Sequence, residues 1–175
     1  MLDGNIYALG GASVGGGAGL RTVEAYDPSA NSWTTRAALL TARGWFSSEA
    51  VNGKIYAIGG DSVAFLPSPL KSVEECDPAT DKWTRKADMP TAREGFASAV
   101  VAGKIYVIGG LTTRGAPALS SVEAYDPATD AWDEKPPCPQ PGECFAPVWQ
   151  KEKSSSSDQQ DQDSRFCPPW RCMIL

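Results

Sequence analysis

The stretch Lys54-Ile-Tyr-Ala-Ile-Gly-Gly60 decides the fold, because the chain contains three versions of it. The other two are Asn5-Ile-Tyr-Ala-Leu-Gly-Gly11 and Lys104-Ile-Tyr-Val-Ile-Gly-Gly110. A short apolar run that ends in turn residues predicts a buried β-strand. The paired glycines allow a positive φ or the close approach of a second backbone. The sequence therefore predicts three equivalent strands.

A second motif follows each of these strands. It reads Thr22-Val-Glu-Ala-Tyr-Asp-Pro28, Ser72-Val-Glu-Glu-Cys-Asp-Pro78 and Ser121-Val-Glu-Ala-Tyr-Asp-Pro127. Its Asp-Pro end is turn chemistry, because Asp bonds the backbone ahead of it and Pro fixes φ. A tryptophan lies five residues after each proline, and the three tryptophans are 50 and 49 residues apart. The chain is therefore an internal repeat of strand, turn and strand.

An apolar strand ending in Gly-Gly, followed by Val-Glu-x-Tyr-Asp-Pro and a tryptophan, resembles the kelch motif over residues 1–149. A period of about 50 residues agrees with that family. The resemblance implies an all-β propeller of four-stranded antiparallel sheets around a central channel. The repeat units are 5–53, 54–103 and 104–149, and a tail covers 150–175. The motif residues with a structural role are Gly10, Gly11, Gly59, Gly60, Gly109, Gly110, Trp33, Trp83 and Trp132.

A phenylalanine lies 13 residues beyond each tryptophan, at Phe46, Phe96 and Phe145. The first two predict the opening strands of two sheets, 46–51 and 96–101. A third opening strand begins at 145–149, but polar residues follow where an Ile-Tyr strand is expected. The sequence thus predicts about three blades in an incomplete ring. We interpret the chain as a truncated fragment of a longer product.

Composition excludes several classes of function. The net charge of −5 and the lack of a basic block argue against binding to nucleic acid. The absence of histidine removes the commonest general base and the commonest zinc or copper ligand. None of the five cysteines forms a C-x-x-C pair, so we expect no zinc site and free thiols. We predict neither a metal nor a cofactor.

The chain shows neither a signal peptide nor an apolar stretch of membrane-spanning length, so we expect a cytoplasmic protein. Residues 151–166 are polar and low in complexity, which predicts disorder. The end, Cys172-Met-Ile-Leu175, fits the prenylation pattern. A chance match is the other interpretation, and a membrane location is expected only if Cys172 carries a lipid.

Two groups of loop residues are candidates for partner binding. Arg43 and Arg93 share one repeat position, which resembles the arginine with which several kelch adaptors grip acidic peptides. The alternative is structural pairing with a recurring glutamate such as Glu74 or Glu123, and the third position holds Gly142. The loops after Gly-Gly differ among the repeats and supply the second group, which could also be plain solvated residues: Asp61, Ser62, Thr113 and Arg114.

The resemblance favours a protein–protein interaction module, in which loops on one propeller face recognise a protein partner, as a substrate adaptor or a scaffold. An enzyme of the epimerase or lyase type is the alternative. A copper oxidase is excluded because the chain has no histidine to bind copper. The sequence also shows no pair of acidic residues that indicates general acid–base catalysis. A third interpretation is a non-functional or regulatory truncated product. We predict that the chain is not an enzyme.

Overall fold

Eleven β-strands form three antiparallel sheets in the computed structural model, which describes residues 2–12, 18–62, 68–113 and 115–139. The first sheet contains β1 (Ile6–Leu9), β2 (Val23–Asp27) and β3 (Ser32–Thr35). The second contains β4 (Ser47–Val51), β5 (Lys54–Ile58), β6 (Val73–Asp77) and β7 (Lys82–Lys86). The third contains β8 (Ala97–Val101), β9 (Lys104–Ile108), β10 (Val122–Asp126) and β11 (Ala131–Lys135). Within these ranges no helix is long and apolar enough to cross a membrane.

Neighbouring strands are joined in chain order within every sheet. The register repeats as well, because Ile6 pairs with Tyr26, Ile55 with Cys76 and Ile105 with Tyr125. The opening strands predicted at 46–51 and 96–101 are confirmed as β4 and β8. The described residues form three strands in the first sheet and four in each of the other two. The stretch 145–149 and the tail lie outside the described residues.

The two ends of the sheets differ in the length of their connections. At one end tight turns join the strands, such as Asn52-Gly53 with φ values of 50° and 76°. Positive φ at both central residues is the geometry of a two-residue hairpin turn, which favours Asn-Gly. At the other end lie the segments after Gly-Gly and the segments that lead from one sheet to the next. The variable sequence of the repeat is therefore gathered at one end.

Two apolar clusters hold the three sheets together. Tyr7, Leu9 and Val23 of the first sheet pack against Ile55 and other residues of the second. The second sheet turns its opposite side to the third, through the cluster that contains Val51, Ile58, Val73, Ile105, Val107 and Tyr125. The middle sheet is therefore buried on both faces. This explains why the residues of β5 that follow Lys54, from Ile55 to Ile58, form a continuous apolar run.

The cysteines follow the prediction of free thiols in part. Cys76 is free and lies in the cluster between the first two sheets, where burial raises the pKa of its thiol to about 11. Cys138 is disulfide-bonded, which corrects the prediction at this position. Cys144, Cys167 and Cys172 lie outside the described residues, and so does the predicted prenylation site.

Candidate functional site

Arg43 lies on the segment between β3 and β4 and points into the second sheet. Its guanidinium donates to the carbonyls of Gly59 (2.8 Å) and Ser72 (3.1 Å) and to the hydroxyl of Ser72. It also donates to Oε1 of Glu74 at 2.7 Å. The other carboxylate oxygen of Glu74 accepts the amide of Leu40 at 2.8 Å. One ion pair thus ties the second sheet to the segment that leaves the first.

The same contacts recur one repeat later. Arg93 donates to the carbonyl of Gly109 (2.8 Å), to the hydroxyl of Ser121 (3.1 Å) and to Oε1 of Glu123 (2.5 Å). We call these two pairs, Arg43 with Glu74 and Arg93 with Glu123, the Arg–Glu clasps. A planar guanidinium with several N–H donors suits this task, because it bonds a carboxylate and two carbonyls together.

Burial of the clasps corrects the prediction that Arg43 and Arg93 grip an acidic ligand. Both arginines are 0% exposed, so neither guanidinium can reach a partner on the surface. Burial lowers the pKa of each arginine, and the paired glutamate opposes that shift. Because Arg keeps its charge in proteins, both remain cationic and pair internally. The alternative weighed above, structural pairing with Glu74 and Glu123, is the one that the structure contains.

A second set of contacts joins neighbouring sheets near the start of the segment between β3 and β4. Trp83 donates its indole N–H to the carbonyl of Ala37 at 2.9 Å, and Asp81 accepts the amide of the same residue at 3.1 Å. Trp132 bonds the carbonyl of Ala87 in the same way, at 2.9 Å. Trp83 and Trp132 therefore join neighbouring sheets, whereas Trp33, their counterpart in the first sheet, is 57% exposed.

The clasps hold one end of the molecule in place, and we call this end the loop face. It consists of the described residues of 10–22, 36–46, 59–72, 87–96 and 109–121. Backbone hydrogen bonds connect its segments across repeats, as from Gly11 N to Arg43 O (3.0 Å) and from Gly60 N to Arg93 O (2.9 Å). At Gly59 the backbone has φ +57°, and an added Cβ would lie 2.8 Å from Arg93 O. The Gly-Gly pair is thus required where two segments touch.

The second group of predicted site residues lies on the loop face with different exposures. Asp61 is fully buried, and its Oδ1 accepts the amide of Ser68 at 3.3 Å. Ser62 is half-buried and accepts Gly19 N through its carbonyl. Thr113 is exposed, and Arg114 lies outside the described residues. Of the three described residues of this group, Ser62 and Thr113 therefore present surface that a partner can contact.

Trp45 is a loop-face residue that the sequence reasoning did not single out. It is half-buried and has φ +49°, a region in which bulky side chains are rare. Its carbonyl accepts Gly95 N at 2.9 Å, and Gly95 is its own counterpart in the next repeat, with φ +57°. Aligning the repeats would have exposed the anomaly, because a tryptophan stands where the next repeat has glycine.

The described residues contain no group of three or more side chains arranged to bind a metal ion. Among the described residues, Asp61 and Glu94 are the buried carboxylates outside the clasps, and Glu49 is half-buried. Glu49 lies on β4 and accepts a hydrogen bond from the hydroxyl of Ser98, and burial raises its carboxyl pKa. The described part of the loop face offers aromatic surface and hydroxyl groups, through Trp45, Ser62 and Thr113.

Comparison with known proteins agrees with the repeat. The Kelch motif family matches residues 1–39, 43–90 and 92–139, which together are well over half of the chain. "Kelch repeat and BTB domain-containing protein 2" of Pongo abelii is 43% identical over 56 residues, 32% of this chain and 9% of that protein. The Homo sapiens protein of the same description matches equally well. The matched segment thus spans about a tenth of these relatives.

A solved structure described as "Structure of YjhT" has the same fold. It superposes with a TM-score of 0.68 and 21% identity, over 81% of this chain and 51% of that one. At this identity the likeness shows the fold alone. It confirms the predicted fold class, an incomplete kelch propeller of about three sheets.

Proposed function

Because the chain belongs to the Kelch motif family, we propose that it is a protein-interaction module whose loop face binds a protein partner. The observation that carries the proposal is the asymmetry between the two ends of the sheets. Tight turns close one end, whereas the longer and more varied segments of three repeats meet at the other. Binding residues are commonly placed on loops that a rigid scaffold holds in position.

The Arg–Glu clasps supply that rigidity. Each clasp bonds two consecutive loop segments to a strand, with both charges removed from solvent. A loop that is fixed in advance loses less conformational entropy when a partner binds. The clasps therefore contribute to binding through position, without contact with the partner.

Trp45 is the proposed anchor of the loop face. Tryptophan is enriched among the residues that dominate protein interfaces, since it buries much apolar surface and keeps a polar N–H. Residues held in sparsely populated backbone regions are concentrated at functional sites. Trp45 meets both descriptions, whereas Gly95 occupies the same backbone geometry without a side chain.

The decisive experiment is Trp45→Gly, which copies the residue of the next repeat. Glycine has no Cβ penalty at this φ, which offsets part of the loss of the half-buried ring, so the thermal midpoint should fall by only a few degrees. The affinity for a protein partner identified with the wild-type chain should fall by about 30-fold or more. Isothermal titration measures the affinity and circular dichroism the midpoint. Unchanged affinity with an intact fold would remove Trp45 from the site.

A second pair of variants tests the face as a whole. Thr113→Arg places a long charged side chain on the loop face of the third repeat, and Ala128→Arg places one in the exposed turn at its opposite end. The first should weaken partner binding at least tenfold, and the second should leave it unchanged. Equal effects of the two variants would contradict binding at the loop face.

A further inference from the structure

The two Arg–Glu clasps differ in one hydrogen bond, although their residues occupy the same positions in the repeat. In the first clasp Oε2 of Glu74 accepts the backbone amide of Leu40 at 2.8 Å. Leu40 precedes Arg43 by three residues, and the residue that precedes Arg93 by three is Pro90. Proline has no backbone N–H, so the second clasp cannot form this bond.

The carboxylate of Glu123 shows the consequence of the proline. Its Oε1 accepts a hydrogen bond from Arg93, whereas its Oε2 is buried and has no hydrogen-bond partner among the described residues. In the same part of the chain, the Nε atoms of Arg43 and Arg93 are both buried without a partner, so they do not distinguish the two clasps. The second clasp therefore contains a carboxylate oxygen that is neither bonded nor exposed to solvent.

This oxygen raises the free energy of the closed second clasp. Burial of a polar group without a partner is unfavourable, and the cost is larger for a charged group. When the clasp opens, water hydrates the oxygen and the cost disappears. The stiffness of Pro90 acts in the opposite direction, because it restricts the open backbone, but a hydrogen bond to a charged group is worth more than that restriction. Opening is therefore easier at the second clasp than at the first.

We propose that the second clasp is a release point, at which the segment 87–96 opens from the third sheet while the rest of the chain stays folded. Folded proteins open locally in this way, and the regions with the weakest contacts open first. The matching segment 36–46 stays closed on the second sheet, since each carboxylate oxygen of Glu74 has a donor. Both clasps lie between sheets that the described chain itself supplies.

The opening extends to the loop face at Trp45. Gly95 lies in the segment 87–96, and its amide donates to the carbonyl of Trp45 at 2.9 Å. Release of the segment therefore breaks a hydrogen bond that supports the backbone of Trp45 at its positive φ. This coupling is a property of the fold, and it holds whether or not Trp45 binds a partner.

Hydrogen exchange of backbone amides, followed by NMR on the full chain, tests the proposal. The backbones of Gly44 and Asp61 bond each other twice at 2.8 Å, and those of Glu94 and Leu111 bond each other twice at 3.0 Å. These matched bonds lie directly after the clasp arginines, so they break when a segment opens. The protection factor of the Leu111 amide should be about tenfold or more below that of the Asp61 amide. Equal protection of the two amides would overturn the proposal.

Pro90→Ala restores the missing donor and separates the effect of the clasp from the position of the third sheet in the chain. The protection factor of the Leu111 amide should rise about tenfold, toward that of the Asp61 amide, because Oε2 of Glu123 gains its hydrogen bond. A Leu111 protection factor that stays at the wild-type value, in a variant that circular dichroism shows to be folded, would contradict the release point.

The first clasp provides the reciprocal experiment. Leu40→Pro removes the donor to Glu74, and the backbone accepts a proline there because Pro90 occupies the matching position. The protection factor of the Asp61 amide should fall about tenfold. Leu40→Ala is the control, since it shortens the same side chain but keeps the N–H, and it should leave the Asp61 protection factor within about twofold of the wild type. Equal losses in the two variants would show that the side chain of Leu40 holds the segment, which would refute the proposal.

Discussion

The first sheet and the middle sheet carry nearly the same residues at the same register positions, yet their environments are opposite. Ile6, Glu24 and Trp33 are at least partly exposed, and Ile55, Glu74 and Trp83 are buried. The difference is the segment between β3 and β4, which supplies Arg43, the carbonyl of Ala37 and apolar side chains to the middle sheet. Burial of this side of the middle sheet is thus conferred by the preceding repeat, and its other side packs against the third sheet.

This comparison predicts that one substitution will have different effects in the two sheets. Stability in a repeat protein is approximately a sum of terms for each repeat and for each contact between neighbours. Substitutions at the same repeat position separate the two kinds of term.

The largest difference is expected at the glutamates. Glu74→Ala leaves the buried guanidinium of Arg43 without its counter-charge, which should cost about 3–5 kcal/mol of unfolding free energy. Glu24→Ala removes an exposed carboxylate and should cost less than about 0.5 kcal/mol. Urea denaturation followed by circular dichroism measures both. Similar losses would mean that the outer side of the first sheet, where Glu24 lies, is covered as well.

The tryptophans should differ nearly as much. Trp83→Ala opens a cavity between two sheets and leaves the carbonyl of Ala37 without its donor, so a loss of about 3–5 kcal/mol is expected. Trp33→Ala removes a ring that packs mainly on Tyr26, with centroids 5.1 Å apart, and should cost about 1 kcal/mol. Iodide quenching of the Trp33 fluorescence, in a variant whose other five tryptophans are replaced by phenylalanine, would report its exposure directly.

Val51 and Val101, which end the opening strands β4 and β8, test the side of each sheet that faces the next repeat. Val51 is 4% exposed and contacts the third sheet, so Val51→Ala should cost about 2 kcal/mol. Val101→Ala, at the same position in the third sheet, should stay within about 0.5 kcal/mol. Thermal melts of the two variants give the comparison. A Val101→Ala loss equal to that of Val51→Ala would show that a part of the chain covers the third sheet.

The smallest effect concerns Glu49, whose counterpart in the third sheet is Ala99. Burial raises the carboxyl pKa of Glu49, so the folded state holds its proton to a higher pH than the unfolded state, whose pKa is about 4.3. Stability from this group therefore falls as pH rises through that window. Glu49→Gln should raise the melting temperature slightly at neutral pH and should not raise it in acid. A gain of the same size at every pH would assign the effect to packing.

Much of the fold follows from the sequence because the repeat supplies its own alignment. The Gly-Gly ends, the Asp-Pro turns and the tryptophans each recur in register, so β5 and β9 were predicted from their resemblance to each other. The offset of Phe46 and Phe96 predicted the opening strands in the same way. Periodicity of this kind reports the position of an element, and the apolar alternation reports its burial.

The site was less predictable, because burial depends on neighbours that the sequence does not name. The sequence pattern places Arg43 in a loop and does not indicate that the second sheet buries it. Only the alternative of structural pairing predicts its bond to Glu74. Asp61 reads as a loop residue for the same reason and is buried. Trp45 was overlooked, since an aromatic residue beside Phe46 resembles core, and its backbone conformation is not visible in the sequence.

The two halves of each Arg–Glu clasp lie on opposite sides of the Asn52-Gly53 turn or of its counterpart Ala102-Gly103. Each repeat therefore carries the arginine that pairs with the next repeat and the glutamate that pairs with the preceding one. Chimaeras spliced at these turns should keep every ion pair intact whenever both parents have the arginine and the glutamate. Recombination between such genes could then lengthen or shuffle an array without any redesign of its cores.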